Sequence, residues 1–240
     1  MKSSMDKMLN QLVERLRKAY SERLVSVVLY GSAAAGDHSA KFSDYNILCV
    51  LTAITPRELS QSEDIFRWWR EQGSPSPLLL TEHEVATSTD CFAIEFLDIK
   101  QKHQLLHGKD VVSGLAVDRS FYRAQVEHDL RAKLLRLRQK ASGILSDADL
   151  LRRLLVDSIS TFAVLFRHAL ALHGQEAPHR KREVIQAACR QFGFESAPFE
   201  RLLDLREERV KPREVEPVGL LASYLEGIGA VIDAVDRLDK

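Results

Sequence analysis

The chain has 240 residues, 45% of them hydrophobic, enough to bury one large core or two smaller ones. Its 34 basic and 34 acidic residues cancel, which argues against a dedicated duplex-DNA binder and leaves only local patches to meet phosphate. No apolar run approaches the roughly 18 residues of a bilayer span. The N-terminus is charged and helix-patterned, with no apolar signal region. A cytoplasmic protein with no membrane partner is therefore expected. Cys49, Cys91 and Cys189 are odd in number and widely spaced, so neither a disulfide framework nor a zinc site is expected, and buried reduced thiols are.

In chain order, Met5, Met8, Leu9, Leu12 and Leu16 recur at helical spacing and predict an amphipathic first helix. Residues 24–30 read as a short buried strand, and residues 45–51 as a second. Thr55-Pro56 opens a helix, with Thr55 as N-cap and Pro56 at its first position, running to about Glu71. Residues 78–81 predict a third strand and residues 92–99 a fourth. A short helix over 101–107 then stops at Gly108. The alternation predicts an α+β domain with a short mixed sheet flanked by helices. Beyond Gly114 the pattern changes to helices over 120–140, 148–173, 180–192, 197–208 and 218–238, punctuated by Gly143, Gly174, Gly193 and Pro212. That half reads as an all-α bundle. The expected division is 1–114 and 115–240, with the boundary between Lys109 and Arg119.

The chemistry concentrates at the end of the first predicted strand. Gly31 lets backbone approach an anion because no Cβ intervenes. Ser32 adds a hydroxyl and an N–H at the start of a helical turn, where free N–H groups favour negative charge. Ala33, Ala34 and Ala35 keep side chains out of the way, and Gly36 ends the turn. A dozen residues on, Ser43-Asp44 heads the next strand. A carboxylate there can hold Mg²⁺ against nucleotide phosphates. Gly-Ser is equally a common turn dipeptide, and Ser-Asp a common local turn at a strand end. Two residues after Asp44, on the same strand face, stands Asn46 and not a second acid.

Gly31-Ser32 followed by Ser43-Asp44-Tyr45-Asn46 resembles the signature of the DNA polymerase β-like nucleotidyltransferase superfamily. It is most similar to the small bacterial members, including aminoglycoside and minimal nucleotidyltransferases. Leu105-Leu106-His107-Gly108-Lys109-Asp110 resembles the leucine-rich Gly-Asp segment that closes that domain. The resemblance covers roughly Leu12 to Val112. It implies that Gly31 and Ser32 grip the phosphates of a nucleoside triphosphate and that Asp44 is the first Mg²⁺ ligand. The second ligand then falls at Asn46. The third acid is expected on the strand over 92–99, at Glu95 or Asp98, with Glu95 favoured as mid-strand between Ile94 and Phe96. In the family's two-metal chemistry such acids bridge ions ~3.5–4 Å apart, and the third helps deprotonate the incoming hydroxyl. Two residues depart from the pattern. Asn46 is a neutral amide, a weaker Mg²⁺ ligand than carboxylate. Ala35 stands where many members carry an arginine.

In the helical half, residues 119–140 carry seven bases (Arg119, Arg123, Arg131, Lys133, Arg136, Arg138 and Lys140) against Glu127 and Asp129. This face meets phosphate or is a solvated surface. No aromatics interleave on it, so nucleic acid is not the expected partner. Arg123 and His128 also resemble the Arg-x4-6-His spacing of HEPN ribonucleases. His103, His107, His168 and His173 are scattered and read as surface or helix-end residues. Of Trp68 and Trp69, adjacent and so unable to share a helix face, one is expected in the core and the other at a contact. The stripe Phe162, Leu165, Phe166, Ala169 and Leu172 is a core or a subunit interface, which leaves a homodimer through the helical domain as an expectation. By resemblance, the acceptor binds between the domains.

The sequence thus supports two readings. The first is a Mg²⁺-dependent transfer of a nucleoside monophosphate from a triphosphate to a hydroxyl of a small molecule or protein. The second is a weakened or inactive member that binds a nucleotide or a partner protein as a regulatory, antitoxin-like module.

Overall fold

A computed structural model describes residues 2–31, 33–34, 45–176, 178 and 180–238, with side chains from residue 6 onward. The chain forms two compact units, Met1–Ser120 and Phe121–Lys240.

In the first unit, helix α1 (Lys2–Tyr20) leads through a 3-10 turn into β1 (Leu24–Tyr30), and β2 (Asn46–Leu51) follows. Helix α2 (Pro56–Glu71) starts at a capping box: the Thr55 side chain accepts from backbone N–H groups and Glu58 reaches back to the Thr55 N–H. Strand β3 (Leu78–Thr81) runs straight into α3 (Glu82–Thr87), which opens on a second capping box, Thr81 with Glu84. Helix α4 (Ala93–Gln101) and strand β4 (His103–Gly108) complete the unit. The four strands form one mixed sheet in the order β3-β2-β1-β4. Strand β1 is antiparallel to both neighbours, and β2 runs parallel to β3.

Two assignments differ from expectation. Residues 92–99 are helix, not strand, and the predicted helix over 101–107 is largely β4. Ala93, Phe96 and Ile99 are buried at three-residue intervals while Glu95 is exposed, which is one face of a helix. A short apolar run carries too few residues to separate the two periods. His103–Gly108 becomes a strand because β1 offers it a ladder, from Tyr30↔His103 to Ser26↔Gly108. Gly108 is required there. It has φ +81, and a Cβ on it would lie 2.1 Å from the Val25 carbonyl oxygen.

Alternation along the strands gives the sheet two distinct faces. Val27, Leu29, Ile47, Cys49 and Leu51 pack with Leu12, Leu16 and Tyr20 of α1 and Ile65 and Trp69 of α2. Val28, Leu48 and Val50 pack with Val85 of α3, Phe96 and Ile99 of α4, and Val112. Trp69 is the core tryptophan, fully buried. Trp68 is half-buried, with the Arg15 guanidinium 4.2 Å from its ring centroid. Cys49 is buried, which pushes its thiol up to about 12. Cys91 is exposed, contrary to expectation, because the segment around it enters a helix on the surface and no strand.

The second unit consists of α5 (Tyr122–Ser142), α6 (Ala148–Leu172), α7 (Lys181–Phe192), α8 (Ala197–Arg206) and α9 (Pro217–Asp236). Helix α6 is central and touches the other four. Phe162, Leu165, Phe166 and Ala169 are buried within this unit. Phe162 meets Tyr224 of α9, and Phe166 meets Phe199 of α8, with centroids 5.7 and 5.5 Å apart. By length and composition α6 and α9 are each apolar enough to cross a bilayer, although no such stretch was expected from the sequence. Here their apolar sides form the bundle core. His168 is buried too, not at the surface, and its Nδ1 lies 2.6 Å from the Tyr122 hydroxyl.

Candidate functional site

The polar residues of the α/β unit gather where β1 ends, β2 begins and β4 begins. Register places Tyr30 opposite Asn46 on one side and opposite His103 on the other. Cross-strand partners share a sheet face. His103, Tyr30 and Asn46 therefore form a row across three strands. That row continues the face of Val28, Leu48 and Val50, the face that α4 covers.

Gly31 follows Tyr30 with φ +81, a backbone conformation that favours glycine. A Cβ on Gly31 would lie 3.2 Å from Asn46 Nδ2. The Asn46 amide thus rests against the turn, and Gly31 keeps that space open. The Gly31 N–H donates to the Lys102 carbonyl at 3.1 Å. It is committed to the sheet end. Ala33 and Ala34 continue the turn. Ser32, Ala35, Gly36, Ser43 and Asp44 lie outside the described residues.

Helix α4 brings acid to this end. Tyr30 packs in the same cluster as Phe96 and Ile99. Burial first, then the nearby Glu95 and Asp98 carboxylates, push its phenol above the usual range. Both acids thus act on the residue just before Gly31, as members of a helix over the sheet face. Among the described residues no strand carries a carboxylate: the strands read LVSVVLY, NILCVL, LLLT and HQLLHG. Among the described residues, too, no three His, Cys, Asp or Glu side chains form a group able to hold a metal ion. Oxygen donors of the kind Mg²⁺ takes are present in Asn46, Glu95 and Asp98. The set fits in kind, and Asp44 lies outside the described residues.

Sequence reasoning missed a third contributor, His103. Its Nε2 lies 3.2 Å from Ser113 Oγ and 4.0 Å from Asp110 Oδ1. Ser113 Oγ donates to Asp110 Oδ2 at 2.6 Å, and the Val112 and Ser113 N–H groups donate to Oδ1. The Ser113 hydroxyl and these N–H groups hold the Asp110 carboxyl down at about 2. No sequence signal pointed to His103, because residues 101–107 read as a helix and the strand that it begins is seen only in the fold.

The basic helix α5 does not bring Arg123 and His128 together. Arg123 bonds Glu127 at 2.7 Å, whereas His128 lies 3.2 Å from Asp129. Five residues turn a helix by about 140°, so the two project from different faces. Glu127 also binds Arg131 at 2.8 Å. Lys133, Arg136, Arg138 and Lys140 are exposed and make no ion pair among the described residues.

No protein-family model and no curated protein matches the chain. Among solved structures, it is similar to spectinomycin adenyltransferase AAD(9) from Enterococcus faecialis, crystallised with ATP and spectinomycin. The identity is 15%, the match covers 96% of this chain and 99% of that one, and the TM-score is 0.60. At that identity the likeness speaks to fold, and over nearly the full length of both chains it is the fold of a nucleotidyltransferase domain followed by a helical domain.

Proposed function

We propose that this protein is a nucleotidyltransferase that moves a nucleoside monophosphate from a nucleoside triphosphate to a hydroxyl group of a small-molecule acceptor. The observation that carries the reading is the convergence of Gly31, Asn46 and the α4 acids at one end of the sheet, in a fold shared with an adenyltransferase crystallised with ATP and spectinomycin. In this reading the turn after Gly31, with Ser32, holds the phosphates. Asp44, Asn46 and Glu95 hold Mg²⁺, which when bound offsets phosphate charge. Glu95 or Asp98 takes the proton from the acceptor hydroxyl. The acceptor oxygen then bonds to the α-phosphorus, the bond from that phosphorus to the bridging oxygen breaks, and pyrophosphate leaves.

A specific observation favours a second reading, nucleotide binding without turnover. Asn46, which heads β2 opposite Tyr30, is a neutral amide where a second carboxylate would give Mg²⁺ a charged ligand. Calorimetric titration of the four common triphosphates, with and without Mg²⁺, separates the outcomes. Mg²⁺-dependent binding that disappears in Asp44→Ala supports transfer. Binding indifferent to metal and to Asp44 sinks it. Asn46→Asp restores a ligand charge and is expected to raise pyrophosphate release with a responsive acceptor. An unchanged rate would mean that more than this ligand has been lost, and would favour the second reading.

A further inference from the structure

We propose that one end of the helical bundle is a contact surface for an anionic lipid bilayer. The inference is independent of the function proposed for the first unit.

The first observation is topological. Tyr122, at the start of α5, lies 2.6 Å from His168 Nδ1 near the end of α6, and Arg123 donates to the Val235 carbonyl near the end of α9 at 3.4 Å. Helices α6 and α9 run the same way. Arg152 donates to the Val215 carbonyl at 2.8 Å, and further along Ser158 Oγ lies 3.0 Å from the Tyr224 hydroxyl. The end of α5 and the starts of α6 and α9 therefore lie at one end of the bundle.

The second observation is what that end exposes. Leu145 in the α5–α6 connection, Leu150 in the first turn of α6 and Val218 in the first turn of α9 are 47%, 45% and 48% exposed. They are three of the five large apolar side chains that the second unit exposes among the described residues. Apolar groups gathered at one place on a surface mark a contact site.

The third observation is charge. Residues 133–153 carry six bases and two acids. Both acids are engaged: Asp147 caps α6 through the Asp149 and Leu150 N–H groups, and Asp149 bonds Arg152 at 2.7 Å. Glu216 caps α9 in the same way. Arg138, Lys140 and Arg153 are exposed and make no ion pair among the described residues. The turn before α9 adds Lys211 and Arg213 against Glu214.

Bases beside aliphatic side chains select the partner. Residues 123–161 contain no aromatic residue. Single-stranded nucleic acid finds no stacking platform there, and the aromatic anchors common in protein interfaces are missing. A bilayer with anionic headgroups takes both kinds of group: its phosphates meet the bases, and the leucines enter the boundary with the acyl chains. Such a contact needs no apolar run long enough to span a bilayer. It leaves α6 and α9 in the bundle, where their apolar sides are buried.

The test floats the full-length protein with vesicles of phosphatidylcholine alone and of phosphatidylcholine with roughly one third phosphatidylserine. Recovery with the anionic vesicles only is expected, falling as salt is raised. A triple variant, Arg138→Gln with Lys140→Gln and Arg153→Gln, is expected to lose affinity on the order of a hundredfold, about fivefold for each base. Leu145→Ser with Leu150→Ser is expected to lose about tenfold. Both variants alter exposed side chains, and thermal melting followed by circular dichroism checks that they fold as the wild type does. A wild type recovered with neither vesicle, or equally with both, overturns the proposal. So does a leucine variant that binds as tightly as wild type, because the surface would then recognise any polyanion and not a bilayer.

Discussion

The two faces of the four-stranded sheet are built from alternate residues of the same strands, and they do different work. The face toward α1 and α2 is a closed core: Val27, Leu29, Ile47, Cys49 and Leu51 lie under Leu12, Leu16, Tyr20 and Trp69. The polar residues beside this core are tied within the protein. Arg23 bonds Glu58 at 2.6 Å and Gln61 at 2.8 Å, and Tyr20 donates to the Glu58 carbonyl at 3.2 Å. The face toward α4 starts as a core at Val28, Leu48 and Val50. It ends in the row His103, Tyr30 and Asn46, with Glu95 and Asp98 close by. The difference teaches a division of labour. Because the strand period is two, one face can be filled with apolar groups for stability while the other gives up its last row to polar ones.

That division is open to challenge, most strongly at Trp69. This side chain is fully buried on the closed face. Trp69→Ala is expected to lower stability by ~3–5 kcal/mol in chemical denaturation. Triphosphate affinity per folded molecule should be unchanged. Loss of binding in the folded fraction would break the comparison, because the closed face would then shape the site.

The next largest effect is expected at Gly108, the last residue of β4, paired with Ser26. An added methyl meets the Val25 carbonyl oxygen at 2.1 Å and occupies φ +81. Gly108→Ala is expected to cost on the order of 3 kcal/mol and to loosen β4, which carries His103. Hydrogen exchange of the β4 amides reads this directly. Protection equal to wild type would show that the strand yields without cost.

The smallest effect, and the sharpest in form, is a pH dependence on the closed face. The Thr55 hydroxyl first, then backbone N–H groups and Arg23, hold Glu58 below its ordinary value of 4.5. A depressed carboxylate contributes stability above its unfolded value and loses it as pH falls through its folded one. Acidification from neutral pH should therefore leave this contribution intact down to about 4.5 and erode it below. Glu58→Gln should be less stable at neutral pH, with a flatter loss through the carboxylate range. A wild-type and a variant curve that stay parallel would show that the Thr55–Glu58–Arg23 network does not couple to folding.

Legibility in the sequence followed the length of each pattern. Helix α2 was readable because Thr55, Pro56 and Glu58 name its start chemically, and α6 because its apolar stripe repeats over many turns. Strands β1, β2 and β3 were readable as bounded apolar runs. The segment 92–108 was not. Its helix and strand were exchanged because each is short, and β4, half exposed at the sheet edge, is decided by pairing with β1. The same exchange misplaced Glu95, expected mid-strand and found on a helix that overlies the sheet.

What the sequence determined by itself is local: the Gly31-Ser32 turn signal, the neutral amide at Asn46, the capping chemistry of α2, and the change to helices in the second half. These are set by residue type and by neighbours a few positions away. Only the tertiary structure decided that the α4 acids lie near Tyr30, that Asn46 rests on Gly31, and that Ser113 and Asp110 clasp His103. Those relations join residues that strand pairing and packing bring together, and no spacing along one chain encodes them.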